Sequence, residues 1–180
     1  MTTIAEFARS TRNATETLER SGHLLQALVV LYSAIDTLAW ASKKAGDVTQ
    51  ADFCRWVGDY MRPVENIGCT PEDLYGARCA LLHSGGAESC LSRQGRATPI
   101  WYVTEKTTLP KVQKILQKTR APAKLVCTED LLALFSLAAT IFRKAVSQDA
   151  AWEARVAKRI GAWFGRLPAA PTLEAWKSEL

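Results

Sequence analysis

Between His23 and Lys43 the chain carries one charge, Asp36, in a stretch that is apolar on nearly every side of a helix. Leu24, Leu25, Leu28, Leu31, Tyr32, Ile35, Leu38 and Ala39 cover most of the circumference of a helix over residues 22–44. Gln26, Ser33 and Thr37 leave only a thin polar strip. A helix with so little polar surface must be surrounded by other elements. The expected fold is therefore mainly α, an up-and-down helical bundle with this segment at its centre. A lone carboxylate in such a helix needs a cation, either from its own chain or from a second copy, or an edge position that reaches water.

Other periodic segments supply the surrounding helices. Thr3 and Glu6 form a capping box for a helix over 3–20, with Ile4, Phe7, Ala8, Thr11 and Leu18 facing inward. Arg9, Arg12, Glu16, Glu19 and Arg20 face outward. Thr49 and Asp52 open a helix over 50–62, with Phe53, Trp56, Val57, Tyr60 and Met61 inside and Pro63 as its stop. Thr128 is read as the cap of a core helix that buries Leu131, Leu132, Leu134, Phe135, Leu137, Ala138, Ile141 and Phe142. A last helix spans 149–165, with Trp152, Val156, Ile160, Trp163 and Phe164 on one face, and Gly165 and Pro168 close it. Its Arg155, Lys158, Arg159 and Arg166 are either a second basic strip or cations that suit the helix C-terminus. Residues 1–168 form one domain, and 169–180 form a tail with a turn around Leu173 and Trp176.

Within that domain, residues 87–128 break the helical period. Ala87 to Thr98 reads as a loop. Ile100–Thr104 and Lys124–Cys127 are β-rich, and 110–119 makes a short amphipathic helix between them. The expected insertion is a small β-hairpin/short-helix unit, two strands with a helical crossover. The whole chain has a net charge of +5, and this insertion accounts for it. From Ser89 to Thr128 there are eight bases (Arg93, Arg96, Lys106, Lys111, Lys114, Lys118, Arg120 and Lys124) and one acid, Glu105, or +7. The rest holds fifteen bases and seventeen acids, or −2. Such a local field favours a polyanion such as RNA; a solvated, lysine-rich surface is the alternative.

Several classes are set aside. The most apolar run, Leu24 to Trp40, is interrupted by Gln26, Ser33, Asp36 and Thr37, and no membrane span is expected. Met1 to Glu6 lacks the basic and apolar regions of a signal, so the expected location is cytoplasmic. The five cysteines (Cys54, Cys69, Cys79, Cys90, Cys127) have irregular spacing and no Cys-x-x-Cys, and read as reduced thiols. With two histidines and no paired ligand spacing, neither a metal nor another cofactor is expected. Phosphate-binding loops, a Gly-x-Ser-x-Gly elbow and His-Glu-x-x-His are absent from the sequence. Six tryptophans are many for this length and suggest an interface.

The chemistry concentrates in a helix that begins at Thr70-Pro71-Glu72-Asp73 and stops at Gly85-Gly86. Leu74, Ala77, Leu81 and Leu82 form its apolar face, and Arg78 lies in the middle of them. His83 follows on the last turn. The two are five positions apart, about 140° around the helix, so they are not expected to grip one small group side by side. Two facing copies of the helix would bring them to one site.

Arg-x-x-x-x-His at the end of a capped helix, with Leu74-Tyr75 and Leu81-Leu82 beside it, resembles the signature of the HEPN superfamily. The resemblance implies a helical-bundle homodimer in which motif residues of both protomers line a cleft. Active members are metal-independent ribonucleases, many of them toxins or antiviral effectors, and others lack activity. Active members often carry Asn, Asp or His directly after the arginine; here Cys79 stands there. The implied catalytic residues are Arg78, as the cation that stabilises charge on phosphorus, and His83, as the proton-transfer group. Tyr75, Cys79 and Ser84 are supporting candidates, and Asp36 is the expected partner of Arg78. A cyclic phosphate would be the product. Two readings follow: an endoribonuclease acting on RNA, in the manner of a toxin or defence effector with an antitoxin or other partner protein, or a non-catalytic dimeric module that binds nucleic acid or a protein.

Overall fold

A computed structural model describes residues 3–62, 64–119 and 122–163. Pro63, Arg120 and the segment with Phe164, Gly165, Arg166, Pro168, Leu173 and Trp176 lie outside the described residues. Among the described residues, eight helices and two strands follow in order: α1 (Ile4–Arg20), α2 (Leu24–Ser42), α3 (Gln50–Tyr60), α4 (Pro71–Ser84), α5 (Cys90–Arg93), β1 (Ile100–Val103), α6 (Leu109–Thr119), β2 (Lys124–Cys127), α7 (Thr128–Val146) and α8 (Ala150–Trp163). Short 3-10 turns cover Val64–Ile67 and Lys106–Thr108. The chain is mainly helical, as its periodicity predicts.

The apolar circumference of α2 has the consequence expected of it. The helix contacts α1, α3, α4, α7 and α8, and Leu31, Tyr32, Ile35, Leu38 and Ala39 have no exposed surface. By length and composition alone its 19 residues would pass for a membrane span, contrary to the reading of the interrupted run. Packing against its neighbours takes up that apolar surface here. Capping boxes at Thr3–Glu6, Thr49–Asp52 and Thr70–Asp73 start α1, α3 and α4. A chain of edge-on rings, Trp56–Phe142 at 5.9 Å, Tyr60–Phe142 at 5.1 Å and Phe142–Trp152 at 5.9 Å, locks α3, α7 and α8 together.

Four local expectations are corrected. The strands are not a hairpin: β1 and β2 pair in parallel, with Ile100 opposite Lys124 and Val103 opposite Cys127. Parallel strands need a crossover, and the 3-10 turn and α6 provide it. The 87–98 loop contains α5, started by a Ser89–Ser92 capping box. Thr128 does not cap α7; Cys127 holds that position, and the Thr128 hydroxyl donates to Glu19 of α1. Leu137 and Ile141 are 47% and 36% exposed, because α7 turns only its Leu131, Leu132, Phe135, Ala138 and Phe142 face to the core.

The small sheet is tied to the helices by polar contacts. The phenols of Tyr32 and Tyr102 share a 2.6 Å hydrogen bond. Lys124 of β2 donates to Asp73 of α4 at 2.5 Å, and the Thr98 N–H donates to the same carboxylate at 2.6 Å. Such a pair of strands is marginal alone and depends on these supports.

Candidate functional site

Arg78 leaves α4 at its midpoint, between Leu74 and Leu82, and points at α2. Its Nε donates to Asp36 Oδ2 at 2.7 Å, and Nη2 lies 2.5 Å from the same oxygen. The side chains are 18% and 14% exposed, so the pair sits at the edge of the core. The expected partnership of Asp36 and Arg78 is thus made within one chain. Burial pushes the Asp36 carboxyl above its ordinary value, and the hydrogen bonds and charge of Arg78 pull it only part of the way back. Burial opposes the Arg78 charge, but Asp36 outweighs it and the guanidinium is held protonated.

His83 does not stand apart from Arg78. Its Nε2 lies 3.4 Å from Arg78 Nη1 in the same chain. The 140° separation therefore does not keep the two apart, for two reasons. Helical side chains lean toward the N-terminus, so the ring of His83 reaches back along α4. The guanidinium, fixed at its other edge by Asp36, turns Nη1 toward it. A guanidinium only donates, so a hydrogen bond here requires Nε2 to be the unprotonated ring nitrogen. The imidazole is solvent-exposed, while Asp36 and Arg78 beneath it are half-buried.

Tyr75 and Cys79, of the supporting residues, lie beside Arg78. Cys79 Sγ is 4.0 Å from Arg78 Nη1, and the guanidinium carbon lies 5.8 Å from the Tyr75 ring centre. Burial, followed by the adjacent Cys79, pushes the Tyr75 phenol upward. Ser84 is the last residue of α4, and its side chain lies outside the described residues. Gly85 follows in the left-handed conformation, φ 61°, which ends the helix just beyond His83.

The basic residues of the insertion divide. Lys111, Lys114 and Lys118 are exposed along α6, and Arg93 and Arg96 are exposed around α5. Lys106 is exposed but paired with Asp130 at 2.6 Å. Lys124 is paired with Asp73, whose side chain is 4% exposed, and ties β2 to α4. Nothing in its spacing distinguishes it from the other lysines, because its partner is fifty-one positions away.

A groove of about 500 Å³ borders the Arg78–Asp36 pair, lined by Ser33, Asp36, Thr37, Trp40, Asp47 and Val48. Trp40 and Asp47 were not singled out from the sequence. The i, i+4 spacing of Asp36 and Trp40 is the signal that places them on one face. A larger cavity, about 600 Å³ between the Val64–Ile67 turn, α6 and β2, shares none of these residues. Of the tryptophans, Trp56 is buried and Trp101 is 41% exposed beside Leu25. Compared with protein-family models, curated proteins and solved structures, the chain matches none.

Proposed function

We propose that the protein is a metal-independent endoribonuclease with a HEPN-like bundle, working as a homodimer in which the Arg78/His83 sites of two protomers share a cleft. The observation that carries this is the Arg78 Nη1 to His83 Nε2 approach at 3.4 Å, with the guanidinium clamped from behind by Asp36. Metal-free RNA cleavage needs a base, an acid and a fixed cation, and this cluster supplies their chemistry.

In the proposed reaction, Nε2 of His83 exchanges its contact with Arg78 Nη1 for a ribose 2′-hydroxyl and takes the proton of that hydroxyl. The 2′-oxygen bonds to the adjacent phosphorus as the bond from phosphorus to the 5′-oxygen breaks. An imidazolium, that of the same or the partner protomer, returns a proton to the departing 5′-oxygen. The products are a 2′,3′-cyclic phosphate and a 5′-hydroxyl. Arg78 has five N–H donors; Asp36 takes two, and the others meet the charge that builds on the phosphoryl oxygens. Exposed Lys111, Lys114 and Lys118, with Arg93 and Arg96, would hold the flanking backbone.

One observation favours a second reading. The Asp36–Arg78 pair is also what a structural tie between α2 and α4 requires, and Cys79 follows the arginine. In that reading the protein is a non-catalytic dimeric module that binds nucleic acid or a partner protein. Purified protein incubated with single-stranded RNA in excess chelator, beside His83→Ala, decides between them. Cleavage by the parent that disappears in the variant supports the ribonuclease. Identical background from both removes it.

A further inference from the structure

Asp36 grips Arg78 and also lines the 500 Å³ groove, and the ribonuclease reading leaves the rest of that groove without a role. Trp40 is the largest side chain in its lining. It lies one helical turn beyond Asp36, so carboxylate and ring face the same way. Arg159 of α8 lies over the indole, with its guanidinium carbon 4.6 Å from the ring centre. That guanidinium is itself fixed: it donates to the carbonyl of Trp40 and, at 3.2 Å, to that of Lys44. The ring is thus held by a cation over it while it lines the groove.

The rest of the lining says what kind of group fits. Ser33, Asp36, Thr37 and Asp47 contribute polar side chains. Among the described residues, no lysine or arginine lines the groove. Carboxylates disfavour a phosphate inside it. A flat ring beside hydrogen-bond acceptors suits a neutral aromatic group that carries N–H donors, which is the chemistry of a nucleobase.

We propose that this groove is a nucleotide subsite in which the base flanking the scissile phosphate stacks on Trp40. The inference rests on the ribonuclease reading for the position of the phosphate at Arg78, and it adds a contact that selects unpaired RNA. Every base has a π face, so the subsite is tolerant of sequence. Bases within a duplex are already stacked and do not enter it.

The test uses the full chain and a single-stranded RNA oligonucleotide made non-cleavable by 2′-O-methyl groups. Affinity is compared between the parent and Trp40→Leu, with circular dichroism and size-exclusion chromatography on both. The expected result is binding about tenfold weaker in the variant at unchanged fold and oligomeric state. In parallel, the same oligonucleotide carrying 5-iodouridine is photocrosslinked to the parent, and the expected adduct is at Trp40. Equal affinities, crosslinks only at other residues, or a variant that changes oligomeric state without changing RNA affinity would each overturn the proposal. If Trp40→Leu does not fold, the crosslink in the parent decides alone. Two outcomes separate this inference from the reading beneath it. A parent that cleaves unmodified RNA while Trp40→Leu binds normally removes only the stacking subsite. A Trp40-dependent complex in a parent that cannot cleave removes only the ribonuclease.

Discussion

Asp36 and Arg78 are forty-two positions apart, and a single oxygen of the aspartate, Oδ2, receives both Nε and Nη2 of the arginine. This one-oxygen grip leaves Nη1 free to turn toward His83 and makes α2 the support for the chemistry on α4. Removing either partner strands a half-buried charge. Asp36→Ala and Arg78→Ala are each expected to lower unfolding free energy by about 1–3 kcal/mol, less than a fully buried pair would cost. The double variant should fall short of the sum of the two by about 1 kcal/mol. Urea denaturation of the four proteins measures this coupling.

His83 separates stability from function. It is exposed at the end of α4, and its replacement by alanine should change stability by no more than about 0.5 kcal/mol. The same change should lower RNA cleavage by about 10²–10⁴-fold, the usual contribution of a proton-transfer group. Thermal melting and a chelator-treated cleavage assay on one preparation check both parts.

The lysines of the insertion should fall into two classes. Lys111, Lys114 and Lys118 replaced together by glutamine should leave the melting temperature unchanged and weaken RNA binding. The slope of log affinity against log salt should become shallower by about 2, near 0.7 for each charge removed. Lys124→Gln should do the reverse, lowering the melting temperature by leaving Asp73 without its cation. A salt titration of RNA binding and a thermal melt, run on both variants, make the comparison.

Acid should weaken the fold partly through Asp73. Burial acts to raise its pKa, but Lys124, the Thr98 N–H and Thr70 together outweigh burial and hold it below the ordinary 3.8. A carboxylate with a depressed folded pKa contributes stability above its unfolded value and loses it as pH falls through the folded one. Asp73→Asn should therefore be less stable than the parent at pH 7, and the gap should narrow below about pH 4. Asp36 has the opposite sign, since its folded pKa is raised and its ionisation costs stability. Urea midpoints of parent and Asp73→Asn across that range would show whether the curves converge.

Gly76→Ala should destabilise the protein although it sits inside a helix. Alanine is better in a helix by about 1 kcal/mol. However, a Cβ at position 76 would lie 2.8 Å from the Cβ of Ala97 and 3.4 Å from the Ser89 hydroxyl. The Ala97 carbon is attached directly to backbone, so the 89–97 segment would have to move. A net loss of about 1–2 kcal/mol is expected from this overpacking, measured by denaturant titration.

Periodicity, capping residues and breakers are local, and they predict most of the helices; Thr128 as a cap, 87–98 as a loop, and Leu137 and Ile141 as core positions are the exceptions. The capping boxes at Thr3, Thr49 and Thr70, the stop at Gly85, the burial of α2 and the two strand segments follow from side-chain chemistry within a few positions. Each is decided by the nearest turn of backbone. The partnership of Asp36 with Arg78 was also legible, because a lone acid and a lone base set among apolar residues both need a partner. What the linear order did not contain was distance through space. The parallel pairing of β1 with β2, the diversion of Lys124 to Asp73 and the meeting of Arg78 with His83 in one chain depend on how the helices dock. So does the placing of Arg159 over the Trp40 ring. Docking sums many weak contacts over the whole core, and no short stretch of sequence carries that sum.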